Sequence, residues 1–261
     1  MAAKTQTDKI SRRMPEGMGG LAKGLAILEA LVPHEGRLTI SEAAHAAGTS
    51  RASARRCLLT LTDLGYLEFD GKFFRPQPRL LLLSSGYSGS RSLAQVAQPI
   101  LAEARDRLKE SVSLAVLKND NAFFIARAEA ERLVNTGIAV GTLIPAHSLA
   151  TGRVLLGAHH EKWVRAYLER TKLVARTKYS LVRKSDILES IQKAQRQGFA
   201  VVDEELEIGL RSIAVPVRDS RRDLVAAVSA SVSSARVSIQ QIIKDILPVL
   251  REHAAKLGRA L

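Results

Sequence analysis

Along this chain, apolar residues alternate between helical spacing and short runs of strand length. Leu21, Leu25, Leu28, Leu31 and Val32 recur every three or four positions up to Pro33, which predicts a first helix. Leu38-Thr39-Ile40 follows as a short extended piece. Residues 41–47 then form a small-residue helix stopped by Gly48. Thr49-Ser50 offers an N-cap to a helix over 51–64, which Gly65 ends. Residues 66–69 and 72–75 flank Asp70-Gly71, the signal of a two-residue hairpin. Helix, helix, turn, helix, hairpin is the order of a winged helix-turn-helix.

A polar arm over 1–19 precedes this block, and a Ser/Gly stretch over 84–90 follows it as a linker. Val96, Ile100, Leu101, Ala104 and Leu108 then mark one stripe of a long helix over 93–109. Strand-length apolar runs fall at 112–117, 122–126, 133–140, 212–217 and 225–232, with helical stretches at 148–158, 161–170, 185–197 and 238–257. The mixture predicts an α/β domain in which helices cover a sheet. The expected division is an arm (1–19), a winged helix-turn-helix (20–83), a linker and dimerisation helix (84–110) and an effector-binding domain (111–261).

Composition narrows the function. The 261 residues are 46% hydrophobic and 25% charged, which excludes global disorder. There is no membrane-length apolar run and no secretory h-region, so a cytoplasmic protein is expected. A single cysteine, Cys57, excludes an internal disulfide and a multi-cysteine zinc site. The net charge of +13 attracts polyanions, while the 4% aromatic content argues against base-stacking on single strands. Residues 162–184 alone carry eight basic residues against Glu169. The chain lacks G-x-S-x-G, Walker A and G-x-G-x-x-G motifs, so neither an enzyme nor a cofactor is expected. Asp203-Glu204-Glu205 reads as a solvated turn rather than a metal site, and His159-His160-Glu161 as a helix-end cluster.

Two constellations carry chemistry. In the helix over 51–64, Ala54, Leu58, Leu61 and Leu64 form the inward stripe. Ser50, Arg51, Ala52, Ser53, Arg55 and Arg56 crowd its N-terminal end with side chains free to read double-stranded DNA. Lys72 and Arg75 on the wing suit backbone phosphate. Lys4, Lys9, Arg12 and Arg13 form either a solvated tail or a minor-groove arm. The second constellation lies beyond Pro145. There Ser148 can cap a helix whose Leu149, Ala150 and Thr151 N–H groups suit a carboxylate. Ser229 and Ser231 lie two apart on a strand and share a face, with Val228, Ala230 and Val232 opposite. Ser212 sits on a second strand. Arg132 is the candidate carboxylate clamp, or else a surface arginine paired with Glu129.

These residues resemble the IclR family of bacterial transcriptional regulators over about residues 20–257. The likeness is carried by Leu21-Ala22-Lys23-Gly24-Leu25-Ala26-Ile27-Leu28 and Ser50-Arg51-Ala52-Ser53-Ala54-Arg55-Arg56, by Gly141 to Leu156, and by Gly198 to Val217. Residues 205–214 and Ser234-Ala235-Arg236-Val237-Ser238 resemble its aromatic-catabolism branch, the regulators of protocatechuate, 4-hydroxybenzoate and β-ketoadipate genes. The chain departs from that branch at Ser229, where Asn is common, and at Leu149, where Thr or a similar residue is.

The resemblance implies a GAF-like C-terminal domain with an antiparallel sheet, and no enzymatic activity. It implies a homodimer or dimer of dimers joined by the 93–109 helix. Leu143, Leu149, Ala150, Thr151, Asp203, Ser212, Ser229 and Ser231 would line a small-acid pocket. The expected role is activation of a catabolic operon, with RNA polymerase as a further partner, in response to an aromatic acid or β-ketoadipate. The alternatives are a repressor sensing a short aliphatic keto acid, a ligand-independent DNA binder, or an enzyme.

Overall fold

The computed structural model describes residues 18–32, 34, 36–80, 82, 93–130 and 138–261, which fall into two compact units, one up to Tyr87 and one from Ser88 on. The 1–17 arm and the 84–90 linker therefore lie outside the described residues.

In the first unit, capping sets the helix starts. Helix α1 runs Gly19–Ala30 and α2 runs Ile40–Ala46. Thr39 does not extend a strand. Its hydroxyl accepts from the Glu42 N–H while the Glu42 carboxylate accepts from the Thr39 N–H, a reciprocal cap that pulls Ile40 into the helix. Gly48 turns the chain in a left-handed conformation (φ 55°) toward α3, Arg51–Asp63, where the Ser50 hydroxyl accepts from the Ser53 N–H. Strands β1 (Leu67–Phe69) and β2 (Phe74–Pro76) form the wing.

Phe69 pairs with Phe74, so the turn is four residues long rather than the two expected. The Asp70 side chain closes it by accepting from the N–H groups of Lys72 and Phe73. Ile27, Leu31, Ala43, Ala54, Leu58, Leu67 and Phe74 share one core. Leu64 is not part of it: as the residue that ends α3 it is 50% exposed.

The second unit is a sheet between helices. Helix α4 (Leu93–Leu108) leads to β3 (Ser111–Lys118), β4 (Asn121–Ala128) and β5 (Leu143–Pro145). Then come α5 (Ala150–Leu156), α6 (Glu161–Arg170) and α7 (Lys184–Gln197). Strands β6 (Ala200–Asp203), β7 (Leu210–Arg218) and β8 (Leu224–Ser233) precede two helical turns and α8, Leu247–Arg259. All pairings are antiparallel in the order β5-β4-β3-β8-β7-β6. Period-two alternation gives the sheet two apolar faces. Leu114, Ile213, Val215, Val228, Ala230 and Val232 pack with α4 and α8, while Ala115, Phe124, Val202, Ala214 and Ala227 pack with α5.

The structure refines the expectations for this unit. The α4 stripe of Ala97, Ile100, Leu101 and Ala104, expected from periodicity, is buried against the sheet and α8 of its own unit, which leaves the opposite face of the helix for any dimer contact. Strands β5 and β6 were not foreseen, being three and four residues long. Of the strand expected over 133–140, residues 133–137 lie outside the described residues and Ile138–Val140 form none.

Helix α5 lies so close to the preceding turn that a Cβ on Gly152 would come within 1.8 Å of the Ala146 carbonyl oxygen. Backbone cannot yield as a flexible side chain does. Gly152→Ala should therefore destabilise the protein by about 2 kcal/mol or more, lowering Tm by several degrees. Unchanged thermal denaturation would contradict this packing.

Candidate functional site

Each unit offers one site. On α3, Ala54 and Leu58 are buried, whereas Arg51, Ala52, Arg55 and Arg56 stand in solvent and Ser53 is half-buried. The helix thus presents arginines from its first two turns beside the N–H groups of its N-terminus, the arrangement that suits base edges and phosphate. On the wing, Arg75 forms an ion pair with Asp70 at 3.0 Å. The backbone N–H groups of Phe73 and Lys72, aided by Arg75, hold the Asp70 carboxyl down at about 2. Lys72 lies over the Phe73 ring at 5.1 Å. Lys72 is the less committed of the two wing cations. Lys4, Lys9, Arg12 and Arg13 lie outside the described residues.

In the second unit a narrow cavity lies between the sheet and α5, with about 10 Å³ of space for the centre of a water-sized sphere. Its lining is Phe124, Ile138, Leu149, Thr151, Val202, Leu206, Leu210, Ser212, Ser229 and Ser231. Strand register explains the hydroxyl wall. Ser111 pairs with Ser231 and Ser231 with Ser212, while Ser113 pairs with Ser229, so these serines stand side by side on one face. Apart from Thr151 on α5, the remaining lining is apolar.

Leu149, Thr151, Ser212, Ser229 and Ser231, singled out from sequence, are therefore brought together. Others are not. Ala150 is buried outside the lining. Leu143 is half exposed on the edge strand β5. Asp203 turns away, and both its oxygens take Arg211, at 2.6 and 2.9 Å. Arg132 lies outside the described residues.

The expected carboxylate anchor at the start of α5 is weaker than foreseen. Ser148 does not cap the helix: it sits in a 3-10 turn, Ala146–Ser148, and its hydroxyl donates to the Pro145 carbonyl. The helix is also only seven residues long, so few peptide dipoles align behind its N-terminus.

Nor are the adjacent acids a solvated turn. Glu204 accepts from the Gly209 N–H at 2.8 Å. Glu205 is buried and receives Arg153 through two bonds of 2.8 and 2.6 Å. Arg153 Nε donates to the His147 carbonyl, and Glu205 accepts from the Leu181 N–H. The pair thus joins α5, the 204–209 turn and the segment before α7 around one end of the cavity. Sequence reasoning missed it because a buried arginine and a lone acid 52 positions apart have no local signature. It also missed Phe124, Ile138, Val202, Leu206 and Leu210, which look like ordinary core residues.

Comparison with known proteins gives consistent matches. Residues 20–71 match the "IclR helix-turn-helix domain" and residues 86–259 match "Bacterial transcriptional regulator IclR C-terminal". The chain is similar to the Pca regulon regulatory protein of Pseudomonas putida, at 40% identity over 237 residues, covering 90% of this chain and 81% of that one. It is also similar to the p-hydroxybenzoate hydroxylase transcriptional activator of Acinetobacter baylyi, at 34% identity, with 94% and 92% covered. In fold it matches an IclR homolog of Microbacterium hydrocarbonoxydans solved with 4-hydroxybenzoate, with TM-score 0.80, 23% identity, and 92% and 97% covered.

The network beneath the cavity carries a pH signature. The Tyr167 hydroxyl accepts from the His147 backbone N–H and shares a hydrogen bond with His147 Nδ1, each at 3.1 Å. Burial, reinforced by the Arg153 charge, pushes the His147 pKa from 6.5 to about 4. Between those values the unfolded chain binds more protons than the native one. The stability tied to neutral His147 is therefore complete above pH 6.5 and is lost as pH falls toward 4. Thermal denaturation between pH 7.5 and pH 4.5 should fall more steeply for the wild type than for His147→Asn, and equal slopes would contradict the assignment.

Proposed function

The chain belongs to the IclR family of bacterial transcriptional regulators, and we propose that it senses a hydroxylated aromatic acid and activates a catabolic operon in response. The observation that carries the reading is the mixed cavity lining, with the hydroxyls of Ser212, Ser229, Ser231 and Thr151 set among apolar side chains. Such a lining suits a flat ring bearing polar groups on its edge. An unsubstituted ring would leave Ser212 and Ser231 without the ligand partner that a hydroxyl supplies. The named relatives support the same class of ligand. One regulates a Pca regulon, one activates p-hydroxybenzoate hydroxylase, and the homolog of like fold holds 4-hydroxybenzoate. The candidate effectors of that class are 4-hydroxybenzoate and protocatechuate, with the acyclic catabolite β-ketoadipate as the alternative.

DNA reading is assigned to Ser50, Arg51, Ala52, Ser53, Arg55 and Arg56, with Lys72 and Arg75 on phosphate. A single winged helix spans few base pairs, so two copies must combine half-sites, as a homodimer or dimer of dimers. Effector binding shifts the populations of that assembly's DNA-binding geometries by its differential affinity for them.

Two measurements test the reading. Arg55→Ala should cost about 1–3 kcal/mol on operator DNA if Arg55 reads a base. An equal loss on random DNA would reassign it to phosphate. The double variant Ser229→Ala, Ser231→Ala should weaken 4-hydroxybenzoate binding by about tenfold or more and abolish the transcriptional response. A normal response at the same concentration would move the effector site elsewhere. Higher reporter expression in a deletion strain without inducer would overturn activation in favour of repression.

A further inference from the structure

The cavity is too tight for the ligand assigned to it. A cavity that holds benzene measures about 150 Å³. The corresponding space here is about 10 Å³. An aromatic acid, larger than benzene by a carboxylate and a hydroxyl, therefore enters only if part of the lining gives way. Protein interiors are packed too closely for such a deficit to be shared out as small adjustments. The lining residues differ in what holds them. Ser212, Ser229 and Ser231 lie on β7 and β8, strands that are paired on both sides within the sheet. Thr151 belongs to α5, where Gly152 lies against the Ala146 carbonyl and Arg153 is bound to Glu205.

Leu206 is held differently. It lies in the turn between β6 and β7, and among the described residues its backbone makes no hydrogen bond. Its half-buried side chain is kept in the lining by apolar packing alone. The turn around it has fixed ends. At the start, Thr177 Oγ1 donates to the Glu204 carbonyl and Ser180 Oγ to the Glu205 carbonyl, while the Glu205 carboxylate takes Arg153 and the Leu181 N–H. At the far end, the Gly209 N–H donates to the Glu204 side chain and the Gly209 carbonyl accepts from the Ser234 N–H. Glu204 (φ 56°) and Gly209 (φ 86°) both take the left-handed conformation, which closes the turn sharply. Between these ends Glu207 and Ile208 are already exposed, Ile208 by 57%. Leu206 can therefore leave the cavity while both ends of the turn stay where they are.

We propose that Leu206 is the size-determining residue of the effector site: it occupies the place an aromatic ring takes and turns outward as the ring enters. The proposal rests on the reading of the cavity as the effector site. Arg153, Glu205 and the serine wall keep their positions, so the polar groups that read the acid are the same before and after. Only molecules with Leu206 turned out bind a ring, and the apparent affinity is the intrinsic one reduced by the fraction of such molecules. A bulkier acid needs Leu206 further out and is penalised more. The leucine thus discriminates by size, and the hydroxyls around it by polarity.

Calorimetric titration of the full chain with 4-hydroxybenzoate and with the bulkier 4-hydroxy-3-methoxybenzoate tests this. Leu206→Ala should tighten 4-hydroxybenzoate by about tenfold and the methoxy acid by more. A leucine that merely completes the core would act in the opposite sense. Its truncation would lower Tm and either weaken both acids or leave both unchanged, and each of those results would overturn the proposal. An equal gain for the two acids would overturn it as well, because a size gate must discriminate. If Leu206→Ala does not fold, Leu206→Val decides, with a gain of about twofold for 4-hydroxybenzoate and more for the methoxy acid. Should the serine double variant lose 4-hydroxybenzoate while Leu206→Ala gains nothing, the cavity reading stands and the Leu206 assignment falls. If neither the wild type nor Leu206→Ala binds 4-hydroxybenzoate, protocatechuate or β-ketoadipate, both fall together.

Discussion

One buried ion pair, Arg153 with Glu205, ties together three segments of the second unit. Arg153 is 2% exposed and its guanidinium meets Glu205 through two bonds, so neither charge has water to fall back on. A lone buried charge costs several kcal/mol, about 3–5 when one partner of such a pair is removed. Three elements are therefore obliged to stay together: α5 carrying Arg153, the turn carrying Glu205, and the segment whose Leu181 N–H completes the carboxylate's bonds. Thr151 precedes Arg153 by two residues and Leu206 follows Glu205 directly, and both face the cavity. The pair is therefore a tie between these segments. Gly152, between Thr151 and Arg153, permits the close approach of α5 to Ala146.

The opposite wall is a consequence of strand alternation. On β8, Val228, Ala230 and Val232 anchor the sheet to α4 and α8, which leaves Ser229 and Ser231 on the other side with no choice of direction. Pairing with Ser113, Ser111 and Ser212 then turns isolated hydroxyls into a continuous polar wall. A one-residue slip would bury every serine against the helices and expose the valines to the cavity, so the register that builds the core also builds the site. Stability and recognition share the same contacts on opposite faces of one sheet.

Much of this was legible from residue pattern alone. The helix order of the first unit, the exposed arginines of α3 and the shared face of Ser229 and Ser231 all follow from spacing. What escaped depends on pairing between distant segments. Glu205 becomes notable only when α5 delivers Arg153. Short elements escaped for another reason. Strands β5 and β6 are too brief to show a period, and the wing turn lengthened because the Asp70 side chain offers the backbone a better closure than a two-residue turn. The stripe of α4 was visible but its partner was not, since periodicity tells which face is buried and never against what.

A crystal structure of the full chain grown with 4-hydroxybenzoate tests the central claim directly. The account predicts ring density between the Leu149–Thr151 segment and the wall of Ser212, Ser229 and Ser231, with the Arg153–Glu205 pair intact. Density for the acid at any other place, with the cavity closed and unchanged, would contradict it.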